Sequence, residues 1–284
     1  MQFSVAELPL ALFTTLAPLG AGAFIALACA FFTTTFSDEQ LKKIDHASII
    51  PLAVVIIGFV CAFFHLANPL NAAGVFMGAG SPLSNEVIVG CVFTVIAIVY
   101  VALACAGKLS VGARKGLAAV VAVLAVLFAL FTGLAYTIRT IASWNTPLVA
   151  VQMLGLCLAG GAAMGMLVLA VAGAQSGASK GSFRVAIAAL AVAGTALAIV
   201  GLAGQLALVS GIETAVASGS ALVSGALAPT VLGLLLIAAS AACTVFAGRK
   251  QATAGVAVAL AVIGIFLCRM AFYAVQLSVG IYFG

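Results

Sequence analysis

A chain of 284 residues in which 65% are hydrophobic and only 6% are charged is too apolar for a soluble domain, where about half the residues are apolar and about a quarter are charged. The formal net charge of +5 sits in short segments between apolar runs. It therefore reports the loops of a membrane protein and not a nucleic-acid surface, and the expected surroundings are a lipid bilayer with no nucleic-acid partner.

Crossing a hydrocarbon core of about 30 Å takes about 20 apolar residues in a helix. Runs of that kind are predicted near 9–32, 47–67, 85–106, 116–138, 147–173, 184–209, 227–247 and 254–280. They are continuous Leu, Val, Ala, Ile and Phe stretches, unlike the short alternating segments of a membrane β-barrel. The expected fold class is all-α: a polytopic membrane protein, an eight-transmembrane-helix bundle, forming one integral domain over residues 1–284.

Before the first span, residues 1–8 contain Glu7 and neither Lys nor Arg. That is not the basic start of a cleavable signal, so the first run is expected to stay as a helix. The second span places Gly58, Cys61 and His65 on one face, where small groups admit a second helix or a flat ring. The loop from Ala67 to Asn85 holds Asn68, Pro69 and Asn71 and no charge, and is expected to fold back as a lid. Glu86 opens the third span as an acid of the helix cap after Ser84.

At the end of the fourth span, Arg139 and Trp144 are expected to be interfacial anchors. The fifth carries Gly160, Gly161 and Gly165, and its GxxxG predicts tight packing against another helix. The connection between the sixth and seventh spans is rich in Ser and Gly, with Glu213, and is read as a flexible linker. On the eighth, Arg269, Tyr273, Gln276 and Gly280 recur at helical spacing and are predicted to form one polar stripe facing protein.

Basic residues alternate between loops. Lys42 and Lys43 follow the first span, Lys108, Arg114 and Lys115 the third, Lys180 and Arg184 the fifth, and Arg249 and Lys250 the seventh. The opposite loops hold only Arg139, so both termini are expected outside. His65, Glu86, Arg269 and Tyr273 then gather toward the outer side, and ionisable groups at membrane depth mark an expected working site.

Other chemistries find little support. Cys29, Cys61, Cys91, Cys105, Cys157, Cys243 and Cys268 all fall inside apolar runs without a CxxC pair, so they read as small core residues, and no metal is expected in this chain. Of the two histidines, His46 lies beside Lys42 and Lys43, away from His65, and paired-histidine haem ligation is not expected. A small secondary transporter is an alternative, but Pro18, Pro51, Pro147 and Pro229 do not form the matched helix breaks of such folds.

The order His65-Leu66-Ala67-Asn68-Pro69-Leu70, then Ser84-Asn85-Glu86, then Arg269 with Phe272-Tyr273 and Gly280, resembles the membrane anchor subunit of anaerobic dimethyl sulfoxide reductase. Pro9-Leu10, Phe13-Thr14, Ala21-Gly22 and Phe24-Ile25 in the first span extend the likeness. The resemblance implies a multi-pass protein of the cell inner (cytoplasmic) membrane that binds and oxidises menaquinol near the outer face and carries no haem. It implies an iron–sulfur electron-transfer subunit and a molybdopterin catalytic subunit as partners, with terminal reduction on the latter. By the same resemblance His65 and Glu86 are the quinol-site residues; their side-chain chemistry makes them the expected proton acceptors, and Asn68, Arg269 and Tyr273 are expected to complete the quinol-binding set. Polysulfide reductase-type quinone-binding anchors share this chemistry and are the nearest alternative.

Overall fold

A computed structural model describes residues 7–65, 74, 78, 80–174, 181–214, 217–247 and 250–278. Its helices are α1 (Leu8–Thr33), α2 (Asp38–Ala47), α3 (Ile49–Phe63), α4 (Pro82–Cys105), α5 (Val111–Leu134), α6 (Leu148–Val171), α7 (Ser182–Ser210), α8 (Gly219–Ala242) and α9 (Gln251–Ala274), with a π-turn at Cys243–Ala247. No strand forms among the described residues; there are only two isolated bridges. Without water, backbone polar groups must be satisfied within each segment, which leaves helices as the way across. Eight spans are long and apolar enough to cross a membrane, α2 and α3 together making one of them. The protein is a multi-pass membrane protein.

The helices are not equally buried. α1 and α6 are enclosed over most of their length, whereas α3, α4, α5, α7 and α8 turn Val, Ile and Leu outward along one side. Lipid tails are as apolar as these side chains, so hydrophobicity does not pull the helices together. Small residues let them approach closely instead. A β-carbon on Gly22 would come within 2.9 Å of the Gly161 Cα, and one on Gly264 within 2.7 Å of the Gly233 carbonyl oxygen. The first contact joins α1 to α6, as the GxxxG in the fifth run led one to expect, and the second joins α8 to α9.

Gly58 is used in the same way. A β-carbon there would lie 2.7 Å from the Ala17 nitrogen, so this face of α3 takes helix α1 and not a flat ring.

Several boundaries differ from expectation for identifiable reasons. Lys42 and Lys43 were expected in a loop and lie on α2, because Ser37 and Gln40 form a reciprocal cap that starts a helix at Asp38. Arg114, also expected in a loop, follows the Ser110 cap and lies in the first turn of α5. There it is buried, and its fork donates to both oxygens of the buried Asp45 carboxylate at 3.1 and 2.7 Å. α9 ends at Ala274, so Gln276 leaves the stripe, while Gly280 lies outside the described residues. The segment beyond α9 pairs with the loop after α5: the Leu277 amide donates to Ser143 Oγ at 2.9 Å, and Ser278 bridges Ile141.

The Asp45–Arg114 pair carries an expected result of its own. Removing one partner strands a buried charge, so Arg114→Met is expected to destabilise the protein by about 3–5 kcal/mol. The double variant Asp45→Leu, Arg114→Met is expected to recover most of that loss. Unfolding in detergent, followed by helix content, measures both.

Candidate functional site

α4 begins earlier than the sequence suggested, with Ser81 as its cap, Pro82 in the first turn, and the Ser84 amide donating to Ser81 Oγ at 3.1 Å. Glu86 is therefore not an acid of the cap. It stands one turn inside the helix and is only 6% exposed, facing the bundle with Gly90 and Phe93. Gly90 lets aromatic rings lie against α4 beneath it, since a β-carbon there would meet Phe59 at 2.9 Å and Phe128 at 3.1 Å. Phe93 stacks on Phe128 with centroids 5.6 Å apart, and Phe13 and Phe59 close the same layer. The carboxyl thus sits above an aromatic floor.

From the last helix comes Arg269, fully buried. Its Nε donates to Thr14 Oγ1 at 2.9 Å and its Nη2 to the Tyr273 hydroxyl at 3.2 Å. Tyr273 in turn shares a 2.6 Å hydrogen bond with the hydroxyl of Tyr136, just past α5. The guanidinium carbon lies 4.0 Å from the Phe272 ring centroid, 5.0 Å from Tyr273 and 5.2 Å from Tyr136. Aromatic faces stabilise a desolvated cation, and here they surround one. Glu86 is within electrostatic reach of this guanidinium, and the Thr132 hydroxyl on α5 stands beside its carboxyl.

Trp144 belongs to this enclosure. It was expected as an interfacial anchor, yet it is buried, stacks on Phe272 at 5.1 Å, and donates from Nε1 to the Phe272 carbonyl at 3.3 Å. Arg139, in contrast, is exposed. The loop that carries Trp144 is held by Gln205, whose Nε2 donates to the Ser143 carbonyl at 2.9 Å while its Oε1 accepts from Gln152 at 2.7 Å. α6 and α7 thereby fix the roof over the Arg269 cluster.

Of the residues singled out from sequence, the structure gathers Glu86, Arg269 and Tyr273 into one buried group. His65 lies beyond the end of α3 and is exposed, outside that group, with its amide donating to the Ala62 carbonyl at 3.1 Å. Asn68 and most of the expected lid, Ala67 to Asn85, fall outside the described residues. Sequence reasoning passed over Thr14, Thr132 and Tyr136. Threonine is ordinary in an apolar span, and a tyrosine near a span end reads as part of the interfacial belt. Among the described residues no group of three His, Cys, Asp or Glu side chains could hold a metal ion.

The sequence matches the family model for the DMSO reductase anchor subunit (DmsC) over residues 1–275. It is 31% identical over 153 residues to the C subunit of anaerobic dimethyl sulfoxide reductase from Haemophilus influenzae, covering 52% of this protein and 53% of that one. With the corresponding C subunit of Escherichia coli K12 the identity is 29% over 190 residues, or 66% of each protein. With the YnfH subunit of anaerobic dimethyl sulfoxide reductase in the same organism it is 25% over 280 residues, 96% of each. The matched stretches thus span about half of the first relative's length, two thirds of the second's and nearly all of the third's.

Proposed function

Because the chain belongs to the family of DMSO reductase anchor subunits, we propose that it anchors a molybdopterin-type anaerobic reductase in the cell inner membrane and oxidises menaquinol near the outer face. Electrons pass to an iron–sulfur partner subunit, and terminal reduction takes place on a molybdopterin catalytic subunit. The observation that carries this reading is the burial of an acid, a guanidinium and two phenols together at one end of the bundle, the end expected outside from the distribution of basic residues.

Quinol oxidation releases two protons and two electrons, so each hydroxyl needs a proton acceptor. His65 takes one proton, since imidazole is the side-chain group that exchanges protons most readily near neutrality. Glu86 takes the other. Asn68 completes the binding set as a hydrogen-bonding amide. Arg269 and Tyr273 keep the acid's surroundings polar and fixed in a layer otherwise lined by rings, where preorganised donors act most strongly on developing charge.

The test uses the complex purified with its partner subunits in nanodiscs. Replacing His65 by Ala is expected to weaken binding of a naphthoquinol probe by about tenfold, the loss of one good hydrogen bond. An unchanged titration in an intact complex would place the quinol elsewhere.

A further inference from the structure

Three polar atoms in the Glu86–Arg269 cluster make no well-formed hydrogen bond among the described residues: Glu86 Oε1, Thr132 Oγ1, whose hydroxyl faces the Glu86 carboxyl, and Arg269 Nη1. Their residues are 6%, 0% and 0% exposed, and they come from α4, α5 and α9. A buried polar atom left unpaired is costly, so three in one neighbourhood call for an occupant. Their chemistry is complementary: a carboxylate oxygen accepts, a guanidinium nitrogen donates, and a hydroxyl does either.

We infer that Thr132 is a ligand-binding residue, and that with Glu86 Oε1 and Arg269 Nη1 it receives one ring oxygen of the quinol. This inference rests on the quinol reading above and deepens it. In the reduced ring that oxygen is a hydroxyl, which donates to Glu86 and accepts from Thr132 and Arg269 Nη1. On oxidation two electrons leave to the iron–sulfur partner, this hydroxyl's proton moves to the Glu86 carboxylate, and the other hydroxyl's proton moves to His65. The oxygen is then a carbonyl, which only accepts, and Thr132 and Arg269 Nη1 keep donating to its two lone pairs beside the newly protonated Glu86. The same three groups therefore satisfy both redox forms, and Thr132 keeps its role in each.

The remaining charged and titratable neighbours leave this oxygen as the open position. Arg269 Nε and Nη2 are committed to Thr14 and Tyr273, and the Tyr136 and Tyr273 hydroxyls to each other. The aromatic floor of Phe13, Phe59, Phe93 and Phe128 provides flat faces one turn below.

Thr132→Val keeps the shape and removes the hydroxyl, and Thr132→Ser keeps the hydroxyl. In the assembled complex, the valine variant is expected to bind a naphthoquinol probe about tenfold more weakly. It is also expected to raise the infrared carbonyl stretch of the bound naphthoquinone, since one hydrogen bond is lost. The serine variant restores both, and without ligand the valine variant is no less heat-stable than wild type. If the valine variant does not assemble, Thr132→Ala is read by the same two measurements.

Unchanged affinity and carbonyl band in the valine variant, with turnover still lost in Glu86→Gln, would overturn the role of Thr132 and leave the quinol reading standing. A loss that serine does not restore would overturn it too, by assigning the position to shape. If Glu86→Gln also turns over quinol normally and His65→Ala binds the probe normally, the quinol reading itself falls.

Discussion

Glu86→Gln is expected to lower the rate of quinol oxidation by the assembled complex by about 10²-fold or more, the usual contribution of a positioned proton acceptor. Glutamine keeps the size of the side chain and its hydrogen-bonding oxygen, so the aromatic layer beneath it is undisturbed. What it removes is the ability to take a proton. The loss is therefore expected in kcat, with little change in the concentration of quinol needed for half-maximal rate. A purely structural Glu86, present only to offset the charge of Arg269, gives the opposite pattern: a lower melting temperature and less assembled complex, with turnover per complex unchanged. Steady-state kinetics on complex quantified by its partner subunits, beside a melting curve, separates the two.

Gly161→Val is expected to abolish accumulation of folded protein in the membrane. Gly161 packs against the backbone of Gly22, whose own β-carbon position is 2.9 Å from the Gly161 Cα. A branched side chain placed there has only main chain to push against, and main chain in two continuous helices does not step aside. Overpacking ordinarily costs about 1–3 kcal/mol and more where nothing can move. In lipid, helices associate through this packing, and no hydrophobic force makes up the loss. Gly225 is the matched control: a β-carbon there meets nothing within 4 Å. Gly225→Ala is expected to accumulate as well as wild type and to gain up to about 1 kcal/mol from helix propensity. Immunodetection of membrane fractions, followed by extraction and size-exclusion chromatography, measures both variants.

The all-helical architecture was legible from the apolar runs, because a membrane leaves the backbone few choices. The glycine contact in the fifth run was legible for a related reason: close approach in lipid depends on small side chains spaced one turn apart. Local chemistry that competes with hydrophobicity was harder to read. The Ser37–Gln40 cap carries a helix into the charged segment, and the Asp45 carboxylate draws Arg114 inward. Neither effect shows in a hydropathy window.

At the site, Arg269 and Tyr273 announced themselves as polar groups one turn apart on an apolar helix. Thr14, Thr132 and Tyr136 did not, because their importance lies in which residue of a distant segment they touch. Trp144 was misread for the same reason. Its indole matches an interfacial belt residue in type, and only its stacking on Phe272 reveals the enclosure.

The aromatic layer below Glu86 has an electrical meaning. A second polar group lies toward the opposite end of the bundle, where Tyr100 neighbours Asp45 and Arg114. Along α4 it is about 21 Å from Glu86, at about 1.5 Å per residue. Between them Phe24, Phe93 and Phe128 pack edge to face and face to face, a layer of rings without a group that exchanges protons. Carrying one elementary charge through the transmembrane field is worth about 2.3 kcal/mol per 100 mV. In the proposed reaction, protons released on the Glu86 side of that layer do not cross the field. On the quinol chemistry proposed above, turnover is then expected to proceed at the same rate across an energised or a discharged membrane.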